Sequence, residues 1–366
     1  MAEEAGTRAA PAGWGRYRVL LYFLAGLIAL DLVVDARRPV WRAYDPDEYR
    51  ARLNNCRRQP HDLVLVGGSP VSEGIDPAPL RGLSWQGSAI THPYNFGLPG
   101  ATTSEVWHAV EHGLASPPRL LVYGITASDL NESRDEPQGP RVLMDWHDLA
   151  DTARCRPDAA EWCLRHMLWA RLNKLWQLYR YRNGIRLWAA DRVDHVWPDL
   201  FTEAAAEARG SLARGVALAS VDGYAPDPVA RARRLDALKR VGNYGPPFHF
   251  LDRFRLGGHL AHLERLLDWA DRHGVTVVLL DMPVSADLEE RLYPHEFAAY
   301  RAALAAVQRR RSVAVLHATR AAVGLDDSNF ADLIHLNGRG AARLSAWLRT
   351  RLEEKNGPRS CATRTP

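Results

Sequence analysis

The chain predicts an α/β fold, a doubly wound parallel sheet covered by helices on both faces, with an apolar N-terminal helix and a helical insertion. Two observations carry the sheet. Short apolar runs end at turn residues, at Asp62–Val66, Arg119–Tyr123, Val275–Leu280 and Ser312–Leu316, and read as buried strands. Helical periodicity lies between or after them, at 103–114, 259–273 and 338–352. Strands buried on both faces are apolar throughout, and their alternation with helices implies three layers. Ligands bind at the carboxyl ends of such strands, so the residues just after each strand are the first to inspect.

The first element is the run Val19–Val34, apolar apart from Asp31 and preceded by Arg8, Arg16 and Arg18. It is slightly shorter than the ~20 residues that span a bilayer comfortably, and Asp31 falls near one end, within reach of the interface. The run reads as a signal anchor. The alternative is a cleaved signal peptide ending near Val34-Asp35-Ala36. Arg37, Arg38 and Arg42 follow the run and offset the positive residues before it, which leaves orientation open.

The organisation that follows is residues 1–36 as anchor or signal peptide, 37–130 as the first part of the α/β domain, and 131–254 as a mainly helical, Trp-rich insertion. Residues 255–355 form the second part of the domain and 356–366 a tail. Within the insertion, helical spacing runs through 160–188, and Trp162, Trp169 and Trp176 recur at intervals of seven with Leu168, Leu172 and Leu175 nearby. The spacing makes one broad apolar face, read first as packing on the sheet and alternatively as a lid or acyl-chain groove near a membrane.

A net charge of +4 over 366 residues, without basic runs interleaved with stacking aromatics, argues against nucleic acid as a partner. Cys56, Cys155, Cys163 and Cys361 contain no CxxC pair on which to build a zinc or redox site. Cys155 and Cys163 read equally as a disulfide or as two thiols. His249, His259, His262 and His273 read as surface or packing residues, and no metal site is expected.

After the first strand, Gly67-Gly68-Ser69-Pro70 places a hydroxyl on a glycine turn, where a nucleophile needs to stand. Ser69 reads equally as a helix N-cap with Pro70 at the first helical position. Ser72 is a weaker candidate, because Pro70 spoils the Gly-x-Ser-x-Gly elbow around it. In Asn95-Phe-Gly-Leu-Pro-Gly100-Ala-Thr-Thr103 a second glycine turn feeds a helix, and Gly100 is a natural oxyanion donor. Asp332-Leu-Ile-His335 precedes the last helix, spaced so that the carboxylate folds back onto one imidazole nitrogen while the other points elsewhere.

The order of these blocks resembles the SGNH/GDSL hydrolases, whose serine follows the first strand and whose Asp-x-x-His precedes the last helix. The wording of Val66-Gly-Gly-Ser69 and Gly74-Ile-Asp-Pro77 is closest to a membrane-anchored branch that includes alginate O-acetylation proteins and the D-alanyl transfer protein of teichoic acid modification. The resemblance covers 62–130 and 259–352 and implies a flavodoxin-like, three-layer SGNH fold with Ser69, His335 and Asp332 as catalytic residues. It also implies an oxyanion hole from Ser69 and Gly100. The third block departs from the family's Gly-x-Asn: here Tyr123-Gly-Ile-Thr-Ala-Ser-Asp129 lacks the asparagine, and Thr126 or Ser128 is the expected substitute donor. Pro70, Asp129, Asp281 and Pro283 are the expected substrate-binding positions.

The implied activity is that of a serine esterase or O-acyltransferase needing no metal or organic cofactor. It takes an acyl donor and, as acceptor, water or a cell-surface glycan. The implied location is an anchored, extracytoplasmic domain, or secretion if the N-terminus is cleaved. A competing expectation is a catalytically weak anchored subunit that binds polysaccharide or docks on a membrane acyltransferase.

Overall fold

The computed structural model describes residues 14–44, 48–133, 146–155, 157–173, 176–197, 202–218, 222–242 and 249–356. The N-terminal helix α1 (Trp14–Ala36) presents Leu20, Leu21, Phe23, Ile28 and Leu32 outward, uncovered by protein. One stretch of it, Tyr17–Ala36, is long and apolar enough to cross a membrane. Helices α2 (Arg38–Tyr44) and α3 (Glu48–Arg58) lead to the first strand, β1 (Leu63–Gly67), and the short α4 (Ser69–Gly74) follows directly. A small hairpin, β2 (Ser84–Trp85) and β3 (Ser88–Ala89), precedes β4 (Pro93–Gly97), α5 (Thr103–Gly113), β5 (Leu120–Ile125) and α6 (Ala127–Leu130).

The described helices of the insertion are α7 (Trp146–Cys155), α8 (Pro157–Asn173), α9 (Gln177–Arg180), α10 (Arg182–Val196), α11 (Thr202–Leu218), α12 (Pro228–Ala232) and α13 (Leu235–Arg240). The chain then completes the domain with α14 (Gly258–His273), β6 (Thr276–Asp281), α15 (Pro294–Arg311), β7 (Ala314–His317), α16 (Arg320–Val323) and α17 (Gly338–Asn356).

Five parallel strands in the order β4-β1-β5-β6-β7, flanked by helices, match the expected α/β class and are consistent with a flavodoxin-like arrangement. The chain leaves β1 for β4 on one side and then returns to β5 on the other. The carboxyl end of β1 therefore sits where the strand order reverses, the place at which open α/β sheets bind ligands. Every residue of β1 and β5 is buried, which the aliphatic runs required. β4 was not expected: Pro93, Asn95 and Gly97 disfavour a strand on propensity, but β4 pairs residue by residue with β1.

Gly67 of β1 pairs with Gly97 of β4 and with Gly124 of β5, so three glycines lie in one row at the carboxyl ends. A β-carbon on Gly67 or Gly124 would overlap the Val71 side chain, and one on Gly97 would overlap the Ser72 backbone. Gly67 also has φ of 151°, a conformation that disfavours any other residue. The bare row lets α4 lie directly on the sheet ends.

The insertion departs from the expected single apolar face. Helix α8 stops at Asn173, so Trp176 lies beyond it, and Leu168, Trp169 and Trp176 are exposed, which overturns packing on the sheet. The side chains of Leu172, Leu175 and Cys155 lie outside the described residues. A second small core forms instead where Leu187 and Ala208 meet Tyr44 of α2. Later insertion residues return to the domain: the Asn95 amide donates to Asp222, and the Leu235 amide donates to Phe330.

Candidate active site

The residues singled out after β1 and before α17 meet. His335 Nε2 lies 2.8 Å from Ser69 Oγ, and His335 Nδ1 lies 2.8 Å from Asp332 Oδ2. An ionised carboxylate only accepts, so Nδ1 carries the proton and Nε2 is left to accept from the serine hydroxyl. The serine is half-buried at the end of β1. Gly68, not Ser69, occupies the N-cap of α4: the Val71 and Ser72 amides donate to its carbonyl at 3.1 and 3.2 Å. The N-cap reading of Ser69 therefore falls, and its hydroxyl faces the imidazole. Such a chain of hydroxyl, imidazole and carboxylate can deliver an oxygen nucleophile to a carbonyl.

The Asp332–His335 turn is closed locally. Asp332 Oδ1 accepts from the Ile334 and His335 amides at 2.9 and 2.8 Å, and the Ala331 amide donates to the His335 carbonyl at 2.8 Å. Asn337 braces the turn from behind, donating to the Arg233 and Ser328 carbonyls and accepting from the Arg339 and Gly340 amides. Ser285, after β6, donates its amide to Leu333. Burial raises the Asp332 carboxyl, but the hydrogen bond and charge of His335, with the two amides, outweigh it and hold the group below the usual carboxylate range.

A lowered native value means Asp332 stabilises the fold above its unfolded value of about 3.9 and loses that contribution as pH falls through the native value. Asp332→Asn is expected to lower the melting temperature most near neutral pH, with the difference from wild type vanishing in acid. An amide facing Nδ1 also favours the wrong imidazole tautomer, so turnover should fall about 10²- to 10⁴-fold. Thermal melts from pH 7 down to pH 2, with ester hydrolysis at pH 7, check both.

The glycine turn after β4 lies against the turn that carries Ser69. The Leu98 amide donates to the Gly67 carbonyl at 2.8 Å, and the Ala101 carbonyl would come within 3.3 Å of a β-carbon on Gly68. Gly100 takes φ of 77°, which suits glycine at the head of this turn. Thr126 and Ser128 are bound inside their own turn. The Thr126 amide and hydroxyl donate to Asp129 Oδ2 at 2.7 and 2.9 Å, and the Thr126 and Ser128 hydroxyls are 2.8 Å apart. Asp129 Oδ1 lies 3.5 Å from a β-carbon position on Gly68, so this carboxylate stands next to the Gly68-Ser69 turn. Pro70 and Pro283 are buried beside their turns. Asp281 is held by the Tyr300 hydroxyl at 3.0 Å and His317 Nδ1 at 3.0 Å, a link from β6 to α15 and β7.

Two bracing residues were not singled out as functional. Asn95 Nδ2 donates to the Val71 and Ile75 carbonyls at 2.9 and 2.7 Å, and Oδ1 accepts from Gly97, which clamps α4 to β4. Arg52 is fully buried; its guanidinium donates to Glu48, Ser72 and the carbonyls of Asn95 and Gly223. Ser72 is thus a buried structural hydroxyl. His262 and His273 bond to backbone carbonyls of their own helix, and His249 pairs with Asp252 on the surface, as surface and packing residues do. On α5, ligand atoms of His108, Glu111 and His112 lie within 4.8 Å of one another, an i, i+3, i+4 cluster able to hold a metal ion where the sequence predicts none.

No protein-family model matches the chain, and no curated protein matches it in sequence. Among solved structures, a Bacteroides fragilis protein described as a "putative acylhydrolase" is similar with a TM-score of 0.37 and 10% identity, over 84% of this chain and 95% of that one.

Proposed function

We propose that the chain is an SGNH-type serine acyl-transfer enzyme, anchored by α1, with Ser69 as nucleophile, His335 as general base and Asp332 as its orienting acid. The observation that carries this reading is the continuous 2.8 Å relay from Ser69 through His335 to Asp332. Ser69 Oγ attacks an ester or thioester carbonyl while His335 Nε2 takes its proton, and the Ser69 and Gly100 amides receive the oxyanion. The tetrahedral adduct then expels its alcohol or thiol, which leaves with the proton from His335. An acceptor hydroxyl gives a proton to His335 and attacks the acyl-serine, and the second adduct collapses to the new ester as His335 returns the proton to the departing Ser69 Oγ. Water as acceptor makes the protein an esterase, and a glycan hydroxyl makes it an O-acyltransferase for an extracytoplasmic cell-surface polymer.

The third block argues for slow chemistry whichever acceptor is used. Thr126 and Ser128 use their hydroxyls within the turn, and a missing oxyanion donor costs about 10²- to 10³-fold in rate. The same observation supports a second reading, an anchored binding or assembly subunit for a membrane acyltransferase. A fluorophosphonate probe on the full chain separates them, with p-nitrophenyl acetate as donor. Labelling lost in Ser69→Ala, with slow turnover in water and faster turnover on adding an oligosaccharide acceptor, is the expected result for transfer. Labelling that survives Ser69→Ala sinks the assignment of Ser69, and no labelling favours the binding subunit.

A further inference from the structure

The insertion carries an exposed aromatic cluster beside the apolar helix. Trp169 of α8 is 54% exposed and Trp176 is 48% exposed, and both rings contact Tyr179 of α9, at 6.2 and 6.3 Å between centroids. The Arg182 guanidinium lies 4.0 Å over the Tyr179 ring. Helix α9 packs along α1, and the Leu178 amide donates to Asp31 Oδ1 at 2.9 Å. The Trp41 indole donates to the Val34 carbonyl at 2.9 Å, and its ring meets Trp188 of α10 edge-on. The insertion is therefore fastened to the last turns of α1 at two points.

We propose that α8, α9 and the start of α10 form a membrane-interface platform. In it Leu168, Trp169 and Trp176 enter the boundary between headgroups and acyl chains of the bilayer that holds α1, while Arg37, Arg38 and Arg182 meet lipid phosphates. The proposal rests on the reading of α1 as membrane-embedded. The hydrogen bond from the Leu178 amide to Asp31 keeps α9 at the depth of that carboxylate. Asp31 precedes Ala36, the end of the helix, by five residues. At 1.5 Å per residue that places the Leu178 amide about 7.5 Å inside the helix end. Interfacial amphipathic segments bury their apolar face to about that depth, and Trp and Tyr with a cationic rim are the residues enriched there.

The platform also connects to the site. Insertion residues past α11 reach α4, where the Asp227 amide donates to the Glu73 carboxylate at 2.7 Å, and reach the His335 turn through Arg233 and Leu235. On this proposal one insertion ties the membrane surface to both halves of the relay.

The test reconstitutes the full chain in phosphatidylcholine–phosphatidylglycerol nanodiscs containing a lipid with a diazirine near the glycerol, and maps photolabelled peptides by mass spectrometry. Labelling of the peptides spanning 164–182 at a level comparable with the end of α1, with α15 at background, is the expected result. Asp31→Leu should leave α1 labelled and weaken the seating equilibrium of 164–182 about fivefold, the weight of one ordinary hydrogen bond, read as a fall in 164–182 labelling relative to α1. If α1 is labelled while 164–182 stays at the α15 background, the platform is wrong and the aromatic face meets something other than lipid. If α1 is itself unlabelled, the anchor reading fails and takes the proposal with it.

Discussion

His335→Ala is expected to lower turnover of p-nitrophenyl acetate about 10³-fold or more, because it removes both the acceptor of the Ser69 proton and the donor to the leaving group. The fold should survive. The imidazole is partly exposed, at 22% of its side-chain surface, and the turn around it is held by backbone amides on Asp332 and by Asn337. Fluorophosphonate labelling should slow in parallel, since it needs the same activated oxygen. Residual activity within tenfold of wild type, with an unchanged melt, would mean that some other group serves as base. Imidazole added to the variant provides a further check, as restored turnover would place the lost function in the ring itself.

Arg52→Met should produce the largest loss of stability. It strips a buried guanidinium from Glu48, whose side chain is only 17% exposed, and from two buried carbonyls and the Ser72 hydroxyl. Removing one member of a buried ionic cluster costs about 3–5 kcal/mol, because the abandoned charge remains. For a domain of this size the melting temperature should fall on the order of 10 °C. The double variant Glu48→Gln/Arg52→Met should recover part of the loss, since it removes the stranded carboxylate. A loss below about 1 kcal/mol in Arg52→Met would show that water or rearrangement replaces the guanidinium.

The legible parts of the molecule were those whose cause is local. The aliphatic runs of β1, β5, β6 and β7 declare themselves, as does the Asp332–His335 pair, which closes within one turn. Ser69 was ambiguous on its own residues. Its partner is 266 residues away, and only the order of blocks along the chain suggested the pairing. β4 was missed because Pro93, Asn95 and Gly97 are selected for fit against β1 and α4, against their strand propensity. Nothing near Arg52 in sequence announces its burial, which depends on α3, α4, β4 and a loop of the insertion arriving together. The Trp spacing of seven suggested one continuous helix, but α8 ends before Trp176, and no local residue pattern revealed where the aromatic face would turn.

The glycine row at Gly67, Gly97 and Gly124 bears on how far the nucleophile can wander. A catalytic serine perched on side chains inherits their rotamer freedom, and its position loosens as they hop. Here the row leaves bare main chain under the β-branched Val71 of α4, so the turn that carries Ser69 is seated on the sheet with no rotamer-rich side chain between them at this row. On the proposed acyl-transfer reading, such a seat would keep an acyl-serine aimed while its acceptor arrives.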